Sequence, residues 1–221
     1  MKSLLTPLWL AALLAFPAAL PAAEPAEVDW QPLFNGENLD GWEHIGPGKF
    51  VVEDGLMKTE GGMGLLWFAG EKFGDCTIRI VFKTTKRADN SGVYIRIADK
   101  PDDPWYAVHH GYEVQIIDGD QPLRMTGSVY SFAPAKAKPS KPSGEWNTLE
   151  ITLDGNLVHT KLNGEDVADF NPADPVPKLN PRGGMGDPEP GPRPEAGYLG
   201  LQNHDEDSTV FFKDVAVRKG K

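Results

Sequence analysis

Period-two alternation of apolar and polar residues runs through this chain. No window after residue 23 combines helical periodicity with the roughly ten residues free of Gly and Pro that a packed helix needs. Ile78, Ile80 and Phe82 alternate with Arg79 and Lys83; Leu149, Ile151 and Leu153 alternate with Glu150 and Thr152; Val158 and Leu162 flank His159 and Lys161. Successive side chains on a strand point to opposite faces, so each of these segments has a dry and a wet side. Asp54-Gly55 and Asp154-Gly155-Asn156 separate such segments with hairpin chemistry. The expectation is an all-β sandwich of antiparallel strands around one core.

Two stretches do not read as strands. Residues 133–144 run from Ala133-Pro134 to Pro142-Ser143-Gly144, and residues 171–196 contain eight prolines. Proline cannot donate to a sheet ladder, so both are expected to be loops, the second either a lid or disordered. Residues 1–23 have the order of a secretory signal peptide: Lys2, an apolar run interrupted by Pro7 and Pro17, then Pro21-Ala22-Ala23. Residues 24–221 are then one exported domain, periplasmic or secreted, with no membrane contact after cleavage. Removing residues 1–23, which carry one lysine and no acid, takes the net charge from −10 to −11. This balance, without a basic stripe, argues against nucleic acid as a partner. The lone Cys76 cannot form an intramolecular disulfide and is expected to be buried.

Four segments carry polar faces unlike ordinary solvated ones. Ser91 to Ile97 sets Val93, Ile95 and Ile97 against Tyr94 and Arg96. Tyr112 to Ile117 sets Tyr112, Val114 and Ile116 against Glu113 and Gln115. Thr126 to Tyr130 offers Ser128 and Tyr130 against Val129, and Gly197 to His204 offers Tyr198, Gln202 and His204 against Leu199 and Leu201. Sugars present hydroxyl pairs and apolar C–H faces, which Arg, Glu, Gln and stacking aromatics suit. If the four segments are neighbours, their polar faces line one groove for a small carbohydrate. The alternative is a solvated sheet face with an Arg96–Glu113 surface ion pair.

Glu113 and Asp118 stand five residues apart, and a bulge would bring both to one face. The spacing resembles the bulged carboxylate strand of laminarinase-type endoglucanases, with Gln115 and Asp118 departing from that pattern; a retaining pair needs carboxyls about 5–5.5 Å apart. His109-His110, in a loop after Asp102-Asp103-Pro104-Trp105, makes a metal conceivable, but no ordered ligand spacing supports a metal site and no cofactor motif is present.

Leu33-Phe34-Asn35-Gly36 with Leu39-Asp40-Gly41-Trp42, then Asn90-Ser91-Gly92-Val93-Tyr94-Ile95-Arg96, Gly111 to Asp118, Thr126-Gly127-Ser128-Val129-Tyr130, Gly144-Glu145-Trp146-Asn147, Leu162-Asn163-Gly164 and Gly200-Leu201-Gln202-Asn203-His204 resemble, in order, the 3-keto-disaccharide hydrolase domain family. Lys213-Asp214 stands where that family tends to have Arg-Asn, and residues 171–196 look like an insertion. The resemblance implies a concanavalin A-like jelly roll acting on glycosides oxidised at C3. A C3 ketone acidifies the C2 proton, so one base and a polarising donor can expel the C1 substituent by elimination, with water adding afterwards. In that chemistry Glu113 is the base, Arg96 and His204 donate to the enolate oxygen, and Asn90, Tyr94, Gln115, Asp118, Tyr130 and Gln202 contact the substrate. A non-catalytic carbohydrate-binding module and an endoglucanase using Glu113 and Asp118 are the alternatives.

Overall fold

The computed structural model describes residues 29–177, 187–189 and 191–220, so the signal-like residues 1–23 lie outside it. Among the described residues the strands are β1 (Gln31–Pro32), β2 (Trp42–Ile45), β3 (Lys49–Glu53), β4 (Leu56–Glu60), β5 (Gly64–Phe68), β6 (Cys76–Thr84) and β7 (Ser91–Ile97). A single helical turn, α1 (Tyr106–His110), precedes β8 (Tyr112–Ile116), β9 (Asn147–Asp154), β10 (Leu157–Leu162), β11 (Glu165–Phe170), β12 (Tyr198–Asn203) and β13 (Val210–Lys219). His109 and His110 therefore sit on a helical turn, not in the loop expected for them. None of these elements is a helix long and apolar enough to cross a membrane.

The strands form two antiparallel sheets. One has eight strands in the order β11-β10-β9-β6-β13-β4-β3, with β1 paired to β13; the other has five, β2-β5-β12-β7-β8. The dry faces meet between them: Ile78, Ile80 and Phe82 of β6 and Leu149, Ile151 and Leu153 of β9 pack with Val93, Ile95, Val114, Ile116, Leu199 and Leu201. Full burial of each such side chain is worth about 1.5–3 kcal/mol, so this interlayer dominates stability. Cys76 is buried there, and burial pushes its thiol up to about 11. The Asp54-Gly55 hairpin has φ of 52° and 77°, the left-handed pair that a two-residue turn between twisted strands requires.

Departures from simple alternation position the site. On β7 the pairing with β12 shifts register, Tyr198 lying opposite Ile97 and Gly200 opposite Tyr94, and Arg96 adopts φ 56°. This bulge reverses the phase of the strand end. Ile97, expected on the interlayer side with Val93 and Ile95, instead joins Tyr94, Leu65, Trp67 and the α1 residues Ala107 and Val108 in a second cluster on the outer face. Thr126–Tyr130 is not a strand. Beyond the bridges of Val129 to Val114 and Ala133 it is a chain of turns, laid along β8 by Gln115 N–H to Ser128 O and Tyr130 N–H to Glu113 O bonds.

Both proposed loops lack strands and helices among their described residues, apart from the bridge at Ala133. Residues 178–186 and 190 of the proline-rich stretch lie outside the description. Its last part is held by Arg193, which donates to the carbonyls of Gly111 at 3.0 Å and His109 at 2.6 Å.

Candidate active site

β8, β7 and β12 are neighbours, so three of the four expected polar faces share one surface and the 126–130 turns border it. Tyr94 stands directly across from Glu113, and Gly92 across from Gln115. A pocket of about 390 Å³ lies over these residues, lined among others by Asn90, Glu113, Gln115, Tyr130, Gln202 and His204. Six of the nine residues expected to form the site are thus brought together.

Glu113 is its buried centre. The residue is 8 % exposed and its Oε1 has no hydrogen-bond partner. Burial pushes the carboxyl up to about 8, only partly opposed by the neighbouring Tyr94 hydroxyl. The hydroxyl itself accepts a 2.5 Å bond from Gln202 Nε2, which leaves its proton directed away from Gln202. Tyr94 is wholly buried and does not line the pocket, so it supports Glu113 and does not contact substrate. Gln115 Oε1 accepts from the Ile116 N–H at 2.9 Å, which commits the oxygen and leaves the amide donors for the pocket.

Gly92 makes room for this carboxyl. A Cβ built there would lie 2.7 Å from Glu113 Cγ and nearer still to its Oε1, closer than any real contact. Gly92→Ala is therefore expected to push Glu113 out of place, and where a carboxyl acts on a bound substrate a displacement of an ångström lowers turnover about 10²-fold. Steady-state kinetics with a circular-dichroism check of folding measures it, and wild-type turnover would contradict the packing argument.

The structure does not bring Arg96 or Asp118 to the pocket. The β7 bulge turns Arg96 to the interlayer side, where it is 2 % exposed and donates to the carbonyls of Pro194 at 3.0 Å, Glu195 and Gly155. It cannot polarise a sugar held over Glu113. β8 continues in regular alternation, with Ile117 on the Glu113 side lining the pocket. Asp118 consequently faces away, ion-paired with Lys138 at 2.7 Å and Arg87 at 3.6 Å. Glu113 and Asp118 form no carboxylate pair, and the endoglucanase arrangement of the two is absent.

Several lining residues had no place in the sequence reading. Trp105 and Val108, from α1 and the residue before it, with Met63 and Ile117, supply apolar walls, and Arg124 stands 5.8 Å from the Tyr130 ring. Trp105 carried one usable cue, a large aromatic within a polar loop. Arg124 carried none, because its turn is defined only by packing on β8. His204 follows the end of β12, and its side chain is 41 % exposed. Among the described residues no group of three or more His, Cys, Asp or Glu is placed to hold a metal ion. His110 instead lies 4.6 Å from the Tyr106 ring and 3.5 Å from Glu189.

An eight-plus-five-stranded antiparallel sandwich with a pocket over the outer face of its smaller sheet defines a lectin-like jelly roll. The solved structures it resembles share that architecture. A candidate glycosyl hydrolase from Parabacteroides distasonis is 24 % identical with a TM-score of 0.71, covering 87 % of this chain and 100 % of its own. A protein of unknown function with a galectin-like fold from Bacillus subtilis has a TM-score of 0.61 at 13 % identity, covering 87 % and 95 % of the two chains. A carbohydrate-binding module from Bacillus subtilis has a TM-score of 0.50 at 14 % identity, covering 79 % and 93 %. None of the curated proteins matches the chain. Residues 29–218 match the model of the 3-keto-alpha-glucoside-1,2-lyase-like domain, and the chain belongs to that family.

Proposed function

We propose that this protein is an exported enzyme that cleaves 3-keto-glycosides, with Glu113 removing the C2 proton. The observation that carries the reading is a carboxyl that lines the pocket alone among the described residues, buried, with one unpartnered oxygen and a proton affinity raised to about 8. Elimination next to a ketone needs one base of this kind, whereas glycoside hydrolysis by displacement ordinarily uses two carboxyls. A base matched to a carbon acid gains from a high pKa, and burial supplies it here. Loss of the C2 proton places negative charge on the C3 oxygen. The Gln115 amide, the Tyr130 hydroxyl and Arg124 are the donors assigned to it in place of Arg96. Asn90 and Gln202 bind the remaining hydroxyls, and Trp105 offers a stacking face.

The test is product analysis with 3-keto-trehalose or 3-keto-cellobiose beside the unoxidised disaccharides. Release of a 3-keto sugar or its 1,2-unsaturated derivative from the oxidised substrates alone is expected. Since only ionised Glu113 can accept a proton, kcat/KM should climb about tenfold per pH unit below about 8. Binding of both sugar types without turnover would replace this reading with a carbohydrate-binding module.

A further inference from the structure

His204 is held by more than its place after β12. Its Nδ1 lies 2.7 Å from Asp205 Oδ2. The other carboxylate oxygen, Oδ1, accepts the backbone N–H groups of Asp207 at 2.9 Å and Ser208 at 2.8 Å. Ser208 Oγ in turn accepts the N–H of Asn90 at 2.9 Å, which ties this turn to the pocket wall. On the other side, Asn203 donates to the carbonyl of Glu60 at 2.8 Å. The imidazole thus has a fixed backbone and a carboxylate on Nδ1, which leaves Nε2 for the pocket that the ring lines. Burial raises the Asp205 carboxyl, but the bonds from His204 and Ser208 outweigh it and hold the group below its usual range, so the partner of His204 is an anion.

Position assigns this pair a side of the sugar. Glu113 is buried at the floor of the pocket and His204 is half exposed at its rim. With C2 over Glu113 on the floor, the substituent on C1 leads out toward the open rim, and among the lining side chains His204 is the one whose ring can both give and take a proton at the C1 oxygen there.

We infer that Asp205 is a positioning residue that holds His204 as the second acid–base group of the pocket, working on the C1 oxygen and not on the enolate. This rests on Glu113 acting at C2. Glu113 takes the C2 proton, and the electron pair of that C–H bond moves into an enolate. The enolate collapses to regenerate the C3 ketone and form the C1–C2 double bond, and the C1–O bond breaks. Its electron pair leaves with the aglycone oxygen, which takes the Nε2 proton of imidazolium His204. Neutral His204 then removes a proton from water as its oxygen adds to C1, and protonated Glu113 returns a proton to C2. Both groups end as they began, and the sum is glycoside plus water giving alcohol plus 3-keto sugar.

The experiment compares wild type, Asp205→Asn and His204→Gln on 3-keto-trehalose in deuterium oxide, following deuterium at C2 by NMR and the unsaturated ketone by its absorbance. The Asp205→Asn side chain retains an oxygen for the Asp207 and Ser208 N–H groups but presents an amide N–H to Nδ1, which blocks the imidazolium. Both variants are expected to raise the ratio of unsaturated ketone to 3-keto sugar at least tenfold, and hydration should slow about 10²-fold, the usual contribution of a positioned acid or base. A 3-keto aryl glycoside whose phenolate departs without a proton should restore cleavage in His204→Gln but not hydration. A product ratio equal to that of wild type, or C2 exchange lost in step with turnover, would overturn the assignment, the latter placing His204 at the C3 oxygen. The unsaturated ketone as sole wild-type product overturns the water step. A Glu113→Gln variant that keeps wild-type turnover would instead sink the Glu113 reading beneath it.

Discussion

Glu113→Gln is expected to abolish cleavage of 3-keto-glycosides, a loss of at least about 10³-fold in kcat, while making the protein harder to unfold at alkaline pH. The two effects have one cause. Folding raises the carboxyl from 4.5 to about 8, so the native state holds a proton that the unfolded chain has released across that interval. Between those pH values the unfolded state binds fewer protons, and stability falls as pH rises, by about 1.4 kcal/mol per unit. Above about pH 8 the native protein carries a buried carboxylate with one orphaned oxygen, at a cost on the order of 4 kcal/mol relative to a neutral group. Glutamine has the same shape and no charge to desolvate. At pH 9 the variant should therefore melt several degrees higher than wild type, since for a chain of this size each kcal/mol shifts Tm by roughly 2–4 °C. At pH 4, where both carry a neutral side chain, the difference should vanish. Calorimetry at the two pH values alongside turnover measures it; an inactive variant destabilised at both would mean that Glu113 serves packing.

How much of this was legible in the sequence depends on what each residue's neighbours demanded. Tyr112, Val114 and Ile116 alternate with Glu113 and Gln115 without interruption, and the strand they form obeys that alternation up to Ile117. The same regularity excludes Asp118, because the bulge that would have turned it inward is absent there. The bulge is on β7 instead, where Val93, Tyr94, Ile95, Arg96 and Ile97 alternate as a regular strand would. Nothing local marks it. Its cause is three carbonyls, from Gly155, Pro194 and Glu195, that are at least 59 residues away in sequence. A left-handed φ costs a non-Gly residue about 1–2 kcal/mol, and three charge-assisted bonds at about 1.5–3 kcal/mol each outweigh it. Trp105, Arg124 and the 126–130 turns belong to the same class: they reach the pocket by packing on β8, α1 or the pocket's rim, which alternation cannot report. Ile97 shows the secondary consequence, an apolar residue delivered to the outer face and kept dry by Ala107 and Val108 of α1.

Arg96→Met separates the two roles that this arginine could have had. The substitution keeps an unbranched side chain of similar reach in the interlayer and removes every donor. The carbonyls of Pro194, Glu195 and Gly155 lose a cation, and although parts of that loop can turn to water, the buried end of the site cannot. A loss of about 3 kcal/mol is expected, with the φ of 56° at that position now uncompensated. For a chain of this size that lowers Tm by roughly 6–12 °C. Cleavage between Gly191 and Ala196 by a nonspecific protease should also accelerate, because the cation that ties this stretch to the β9–β10 turn is gone. Turnover per folded molecule should stay within about twofold of wild type well below the new Tm, since Arg96 does not line the pocket. Had Arg96 been a donor to the enolate oxygen, its removal would cost about 10²–10³-fold in kcat with a smaller effect on melting. The ratio of the two losses therefore decides between a residue that shapes the end of the sandwich and one that touches the sugar. The bulge that removes Arg96 from the chemistry also carries Ile97 to the outer face beneath α1, where Trp105 and Val108 form the pocket wall, so the arginine reaches the site only through the backbone it fixes.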